Sequence, residues 1–241
     1  MLVDAHVHAF SASLFRLLAQ EARAHSAHAP DPAAVAAQLG IELPDHDNLA
    51  HARRWLDEFN RHQVDAALMI ASHPGEAEAV HALVAASSGR FFGACVVNPQ
   101  SDGFDERVVH LVERLDMRAL VLFPSLHHYH LADQERLLGY AASKRIPLIV
   151  QCGLLDIPLR NRFGLPRSAD IRFARPLDLI KIANAFPTLS LVVPHFGAGL
   201  LNECMMLGAS CGNVVVDSAG TNSWVKALGT TLEAVFARAL D

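Results

Sequence analysis

Short runs of apolar residues recur along the chain, and polar residues do not alternate with them. The runs are rich in Val, Ile, Leu and Ala. Strands of a parallel sheet that are buried on both faces have this pattern. We therefore predict seven strands, over residues 2–7, 64–71, 91–97, 118–123, 146–152, 189–194 and 213–217.

Amphipathic helical patterns separate these apolar runs. In residues 48–62, for example, Leu49, Trp55 and Phe59 fall on one stripe of a helix. The segment after the seventh strand predicts one more helix, which runs to the last residue. Similar patterns predict helices over residues 76–88, 104–115, 132–145, 176–186 and 199–210.

This regular alternation of strand and helix indicates a parallel sheet with crossover helices. Two architectures have this order, a doubly wound open sheet and a closed (β/α)8 barrel. No Gly-rich phosphate loop follows the first strand, which argues against a nucleotide-binding open sheet. In a barrel, the groups of the active site cluster just after the C-terminal ends of the strands.

The composition excludes several classes of protein. Hydrophobic residues make up 51% of the 241 residues and charged residues 19%, so a packed core is expected. A net charge of −5 is no basis for binding nucleic acid or an anionic membrane, and no apolar run is long enough for a membrane span. The N-terminus has no signal-peptide pattern and the four cysteines have no paired spacing, so we expect a cytoplasmic protein.

Two histidines end the first predicted strand. His6 and His8 stand two residues apart, so both side chains point to the same side of the strand. Imidazole nitrogen suits Zn²⁺, and a catalytic zinc site keeps one position open. The alternative is that they are two polar residues near a chain terminus. Histidines within helical patterns, such as His51, are expected to be surface or packing residues.

Polar residues also follow the later strands. For each of them, the alternative to a functional role is a structural group with its hydrogen bonds satisfied, or a polar loop residue. The candidates are His127, His128 and His130 after strand four, Gln151 after strand five, His195 after strand six, and Asp217 and Ser218 after strand seven.

Four motifs resemble the amidohydrolase superfamily, in the branch that includes the aminocarboxymuconate-semialdehyde decarboxylase-like proteins. They are DAHVH at 4–8, VQCG at 150–153, VVPHFGAG at 192–199 and NVVVDSAG at 213–220. The resemblance runs in order over essentially the whole chain. It implies a TIM-like (β/α)8 barrel that forms a single domain over residues 1–241.

The resemblance also implies a site. In that family the histidines after strand one bind a divalent metal, which corresponds to His6 and His8, with Zn²⁺ as the expected ion. A strand-six histidine, here His195, binds the metal or orients the activated water or the substrate. The metal lowers the pKa of its water toward neutrality. An aspartate after strand eight then serves as metal ligand and general base.

The chain departs from the family pattern at two places. The strand-five ligand, usually histidine, is Gln151, and an amide oxygen is a weaker zinc ligand than imidazole. The eighth strand with its aspartate is missing, and Asp217 belongs to strand seven. Three explanations are open. The one we favour is that the chain is part of a longer protein. The others are a seven-stranded variant closed by the terminal helix or a partner subunit, and a truncated, inactive relative. Unpaired strand edges would favour a homodimer.

The long segment after strand five, residues 154–176, is rich in arginine. One or two of these arginines, Arg160 among them, are candidates for binding a substrate carboxylate, because arginine binds carboxylate through two hydrogen bonds. The alternative is a solvated basic loop. We name as substrate-binding candidates Gln151, His128, His130, Arg160 and Asp217.

Three functions are compatible with these residues. The first is hydrolysis, by metal-activated water, of an amide, ester or lactone bond in a small acidic molecule, with His195 as the catalytic residue. The second is metal-dependent non-oxidative decarboxylation. The third is a non-catalytic relative, poor in metal, that binds a ligand or partner.

Overall fold

The computed structural model describes residues 1–26 and 30–240. Strands and helices alternate along this part of the chain, as the sequence predicts. No helix among these residues is both long and apolar enough to cross a membrane.

All seven predicted strands are found in the described residues, but the last three are shorter than predicted. Pro147 precedes β5 and Pro194 follows β6, and proline has no N–H with which to extend a strand ladder. The strands are β1 (Val3–His8), β2 (Ala66–Ala71), β3 (Phe91–Val97), β4 (Met117–Leu122), β5 (Leu148–Val150), β6 (Leu191–Val193) and β7 (Val214–Val216).

Every helix predicted between the strands is found. Four helices occur where none was predicted, at Ala12–His25, Pro32–Leu39, Pro124–His127 and Pro158–Arg162, and the C-terminal end also differs from the prediction. There the predicted single helix is two helices, because Gly229 adopts φ +65° between them and Thr231 begins the second by accepting a hydrogen bond from the N–H of Ala234 at 3.2 Å. The helices are α1 (Ala12–His25), α2 (Pro32–Leu39), α3 (Asn48–Arg61), α4 (Ala77–Ala86), α5 (Phe104–Val109), α6 (Pro124–His127), α7 (Glu135–Lys144), α8 (Pro158–Arg162), α9 (Leu179–Ala185), α10 (Leu201–Ser210), α11 (Asn222–Val225) and α12 (Leu232–Leu240).

The chain divides into two compact units, and the prediction of a single domain stays a prediction. The first unit contains Met1–Val97, Glu106–Arg118 and Asp156–Arg167. Its strands β1, β2 and β3 are parallel neighbours. Asp4 pairs with Ala67, and Val7 pairs with Met69. Between these two pairs β1 advances by three residues and β2 by only two, so β1 contains a bulge. His6 lies within this irregular stretch, and His8 follows it.

Helices α1, α2 and α8 share an apolar core cluster of the first unit. Phe15 and Phe163, both about 1% exposed, meet edge to face with ring centroids 6.4 Å apart. Val35 of α2 is fully buried against the same cluster. This packing positions the residues that follow β1.

The second unit contains Asn98–Asp105, Ala119–Leu155 and Ser168–Asp241. Within it β4, β5, β6 and β7 are parallel neighbours in that order. Helices α11 and α12 follow β7, and no further strand occurs in the part of the chain that the structure describes. Phe196, just after β6, meets Phe236 of α12 edge to face at 5.3 Å, so α12 packs on the turn that carries His195.

Candidate active site

His6 and His8 lie side by side at the end of β1. Their ring centroids are 5.2 Å apart, while Val7 between them is buried on the opposite side of the strand. Both imidazoles are half-buried. The structure therefore brings these two side chains together, as the spacing predicts.

Contacts from the first unit orient His8. Its Nδ1 lies 2.8 Å from the hydroxyl of Ser72, the residue that follows β2. The ring also stacks on Phe10, with centroids 5.5 Å apart and the planes 15° from parallel. Parallel pairing of β1 with β2 places Ser72 here, because His8 is opposite Ile70 in the ladder.

Glu76 holds the segments that follow β1 and β2, and its side chain is completely buried. One carboxylate oxygen accepts hydrogen bonds from the N–H of Ser11 at 2.7 Å and from its hydroxyl at 2.8 Å. The other oxygen accepts from the N–H of Ser72 at 2.7 Å. Burial raises the pKa of Glu76, and the hydrogen bonds from Ser11 and Ser72 oppose this rise. Glu76 thus holds Ser72, the residue whose hydroxyl contacts His8.

His195 lies on a tight turn after β6. His195 and Phe196 adopt φ +60° and +49°, in the left-handed region that non-glycine residues rarely occupy. The turn is held by Trp224, whose indole N–H donates to the carbonyl of His195 at 2.9 Å. The Nδ1–H of His195 donates to the carbonyl of Ala219. A carbonyl only accepts, so Nδ1 is the protonated nitrogen, and in the neutral ring Nε2 carries the lone pair that a metal ligand or a proton acceptor requires.

Asp217 lies beside His195 and supports the same turn. One oxygen of its carboxylate accepts hydrogen bonds from the backbone N–H of His195 at 2.9 Å and of Ala219 at 3.0 Å. The backbone N–H of Phe196 donates to the carbonyl of Asp217 at 2.9 Å. The structure therefore gives Asp217 a role in positioning His195, while its predicted contact with substrate stays a prediction.

Gln151 is buried directly after β5, with 3% of its surface exposed. Its side-chain amide donates to the carbonyl of Cys152 at 3.1 Å and of Leu154 at 3.2 Å. These hydrogen bonds fold the start of the following loop around the side chain. The residue that replaces the family's histidine therefore has structural partners of its own.

His128 and His130 lie against one aromatic side chain. Phe173 stacks on His128 at 5.7 Å and is tilted against His130 at 4.8 Å. His128 also hydrogen bonds to the carbonyl of Ser168. His130 borders a cavity of about 450 Å³ that lies wholly within the second unit. The two predicted substrate residues are thus neighbours.

Arg160 forms an ion pair within the first unit. Its guanidinium donates to Glu21 at 3.0 Å, and His73 binds the other oxygen of the same carboxylate at 2.8 Å. The hydrogen bond from His73, followed by the charge of Arg160, lowers the pKa of Glu21. The carboxylate that Arg160 binds in the structure is therefore one of the protein's own.

The side chains at the candidate site provide part of a set of metal ligands. His6 and His8 offer two imidazoles on one side of one strand, which suits Zn²⁺. No group of three or more His, Cys, Asp or Glu side chains arranged to hold a metal ion occurs in residues 1–26 and 30–240. The complete ligand set implied by the resemblance is thus not assembled among the described residues.

Comparison with known proteins decides the family. The sequence matches the family described as amidohydrolase over residues 3–239, which is nearly the whole chain. The chain belongs to the amidohydrolase family. A comparison of this amidohydrolase with curated protein sequences finds no match.

Solved structures similar to this amidohydrolase are TIM-barrel proteins. An uncharacterised TIM-barrel protein from Bordetella bronchiseptica matches 90% of this chain and 74% of its own, with 14% identity and a TM-score of 0.61. A probable 2-pyrone-4,6-dicarboxylic acid hydrolase from Acinetobacter baumannii matches 91% of this chain and 70% of its own, with 14% identity and a TM-score of 0.54. The fold class is therefore confirmed as that of a (β/α)8 barrel with one strand missing.

Several supporting residues of the amidohydrolase were not predicted. Ser72, Glu76 and Trp224 contact or support the predicted histidines from other segments of the chain. The motif SHPGE after β2 carries the only local signal, a polar run directly at a strand end. For Trp224 no local pattern identifies a partner.

Proposed function

We propose that this chain is a metal-dependent hydrolase of the amidohydrolase type, with His6 and His8 as metal ligands. The observation that carries the proposal is the pair of imidazoles, 5.2 Å apart, at the end of β1 in a chain of this family. A bound divalent ion, with Zn²⁺ as the expected metal, supplies a water of lowered pKa for attack on an amide, ester or lactone bond.

His195 acts in this proposal through its Nε2, as a further metal ligand or as the group that orients or accepts a proton. The hydrogen bond from Nδ1–H to the carbonyl of Ala219 sets this tautomer. Trp224 and Asp217 are positioning residues, since they hold the backbone of His195 on both sides. A loss of either would misplace the imidazole while leaving its chemistry unchanged.

The proposed substrate is a small acidic molecule. The structural neighbour from Acinetobacter baumannii is described as a probable hydrolase of a dicarboxylic acid and contains citric acid. In this chain, His128 and His130 are the proposed substrate contacts, because both rings meet Phe173 beside a cavity. Arg160 is also a proposed substrate contact, and one N–H donor of its guanidinium is already bound to Glu21 at 3.0 Å. The possible homodimer and the cytoplasmic location stay predictions.

Metal analysis tests the ligand assignment. Protein purified without added metal is expected to contain about one divalent ion per chain, and the His6→Ala/His8→Ala double variant to contain none. The matched control is His62→Ala/His110→Ala, which removes two exposed histidines that pair with Glu58 and Glu78. No bound metal after reconstitution with Zn²⁺, or equal loss in the control, would contradict the proposal.

A non-catalytic function is the second candidate. Gln151 favours this candidate, because it stands where the family has a metal-binding histidine. Its side-chain amide donates its hydrogen bonds to backbone carbonyls. An assay of 2-pyrone-4,6-dicarboxylate and related lactones with the metal-loaded protein separates the candidates. Ring opening indicates the hydrolase, release of CO₂ indicates the decarboxylase, and binding without turnover indicates the non-catalytic relative.

A further inference from the structure

We propose that the cavity in the second unit binds a free α-amino acid whose side chain is apolar. The cavity has a volume of about 450 Å³ and lies between the loop that follows β4 and the segment that leads into α9. All the residues that line it belong to the second unit. The proposal concerns binding alone, so it does not depend on the metal site proposed above.

The buried part of the cavity wall is apolar. Val150 and Cys152, at the end of β5, line the cavity together with Leu179 and Ile182 of α9, and each of the four is 3% exposed or less. Phe173 adds an aromatic ring to the wall. Ligand sites of about 300–1,000 Å³ combine such apolar walls with a few polar groups that fix the orientation of the ligand. This cavity is thus large enough for an apolar side chain together with its charged end groups.

The charged side chains at the cavity are exposed, and three of them are available to a ligand. Lys181, Asp133 and Asp178 line the cavity and make no hydrogen bond or ion pair through their side chains with another described residue. Asp178 directly precedes α9, but its carboxylate does not cap that helix. Arg175 also lines the cavity, and its guanidinium already binds Glu203 at 2.7 Å. One ammonium group and two carboxylates are therefore left to bind a ligand.

Charges of both signs at one cavity suit a zwitterion. A ligand with a carboxylate alone would be attracted by Lys181 but repelled by Asp133 and Asp178, and an amine alone would leave Lys181 without a partner. A free α-amino acid carries both groups on one carbon atom. Its carboxylate can bind Lys181 while its ammonium group binds an aspartate, and its side chain then packs on the apolar wall.

His130 connects the cavity to the proposed substrate contacts. It lines the cavity, and its ring is tilted against Phe173, which also stacks on His128. An amino acid bound in the cavity would therefore lie beside the two histidines that we propose as contacts of the acidic substrate.

Calorimetric titration at neutral pH with three molecules that share one aromatic ring tests the proposal. L-Phenylalanine carries both charges, hydrocinnamate only the carboxylate, and phenethylamine only the ammonium group. We expect L-phenylalanine to bind with a dissociation constant on the order of 1 mM, and each of the other two to bind about tenfold more weakly. No binding of L-phenylalanine, or equally tight binding of either molecule with a single charge, would overturn the proposal.

Variants at the exposed positions assign each charge. Lys181→Gln should weaken the binding of L-phenylalanine about tenfold and leave that of phenethylamine unchanged. Asp133→Asn/Asp178→Asn should weaken L-phenylalanine to a similar extent without weakening hydrocinnamate. Lys226→Gln is the matched control, because Lys226 is an exposed lysine of the same unit that does not line the cavity. An equal loss in Lys181→Gln and Lys226→Gln would contradict the assignment.

A final variant tests whether the ligand occupies the cavity. Ala132 lines the cavity from a half-buried position, so Ala132→Trp should fill part of it and abolish binding of all three molecules. Full binding of L-phenylalanine to Ala132→Trp would overturn the proposal.

Discussion

Replacing Glu76 with glutamine tests the support under His8. The amide has almost the same shape as the carboxylate, but it exchanges one acceptor for an NH₂ donor. If the amide oxygen stays toward Ser11, the NH₂ group faces the N–H of Ser72, which the carboxylate binds at 2.7 Å. One charge-assisted hydrogen bond is lost, and a buried donor is left without a partner.

The expected magnitude follows from these contacts. A hydrogen bond to a charged group contributes about 1.5–3 kcal/mol, and relief from burying the charge offsets part of this loss. We therefore expect Glu76→Gln to lower the free energy of unfolding by about 1–3 kcal/mol. For a chain of this length, each kcal/mol corresponds to about 2–4 °C in melting temperature.

Urea unfolding at pH 7, followed by circular dichroism, measures this loss. Glu78→Gln is the control, because Glu78 lies only two residues further along, in the first turn of α4, but its side chain is 71% exposed and pairs with His110 at the surface. That control should change the free energy of unfolding by less than about 0.5 kcal/mol. Equal stability of Glu76→Gln and Glu78→Gln would refute the structural role of Glu76.

The pH dependence of the protein's stability tests the direction in which the pKa of Glu76 is shifted. Burial raises the pKa of Glu76 above its ordinary value of 4.5, so the unfolded chain releases this proton at a lower pH than the folded chain does. The contribution of Glu76 to stability is therefore complete below pH 4.5 and falls as the pH rises through the raised pKa. As the pH rises from 4.5 through the raised pKa, the difference in unfolding free energy between the unaltered protein and Glu76→Gln should therefore shrink. A difference that grows with pH would mean that the hydrogen bonds outweigh burial.

Two further predictions concern a backbone contact and an ion pair. Gly153→Ala should cost about 3 kcal/mol or more, because Gly153 has φ +75° and a Cβ there would lie 2.1 Å from the carbonyl oxygen of Gly197. Gly139→Ala, in open space on α7, should instead raise the melting temperature, and a similar loss in both variants would contradict this reasoning. The pKa of Glu21 is lowered, first by the hydrogen bond from His73, so its stabilisation is present above pH 4.5 and is lost on acidification. Glu21→Gln should flatten thermal stability between pH 3 and 6, and an unchanged pH profile would exclude this contribution.

Most of the fold is predictable from the sequence, because its signals are local. Apolar runs predicted all seven strands that occur in the described residues, and helical stripes predicted the main crossover helices. The ends of elements were less predictable. The C-terminal helix is interrupted near Gly229, and β5 and β6 are shortened beside Pro147 and Pro194. Such ends depend on which backbone groups find partners, which periodicity does not specify.

The sequence by itself determined that His6 and His8 share one side of a strand, because alternation along a strand is a local property. The tertiary structure alone decided which distant groups orient them. Ser72 contacts His8 across 64 positions of sequence, and Glu76 is buried beneath Ser11 across 65. It also decided that Arg160 binds Glu21, 139 residues away. These contacts arise from strand pairing and helix packing, in which burial and hydrogen bonding select partners that no local pattern contains.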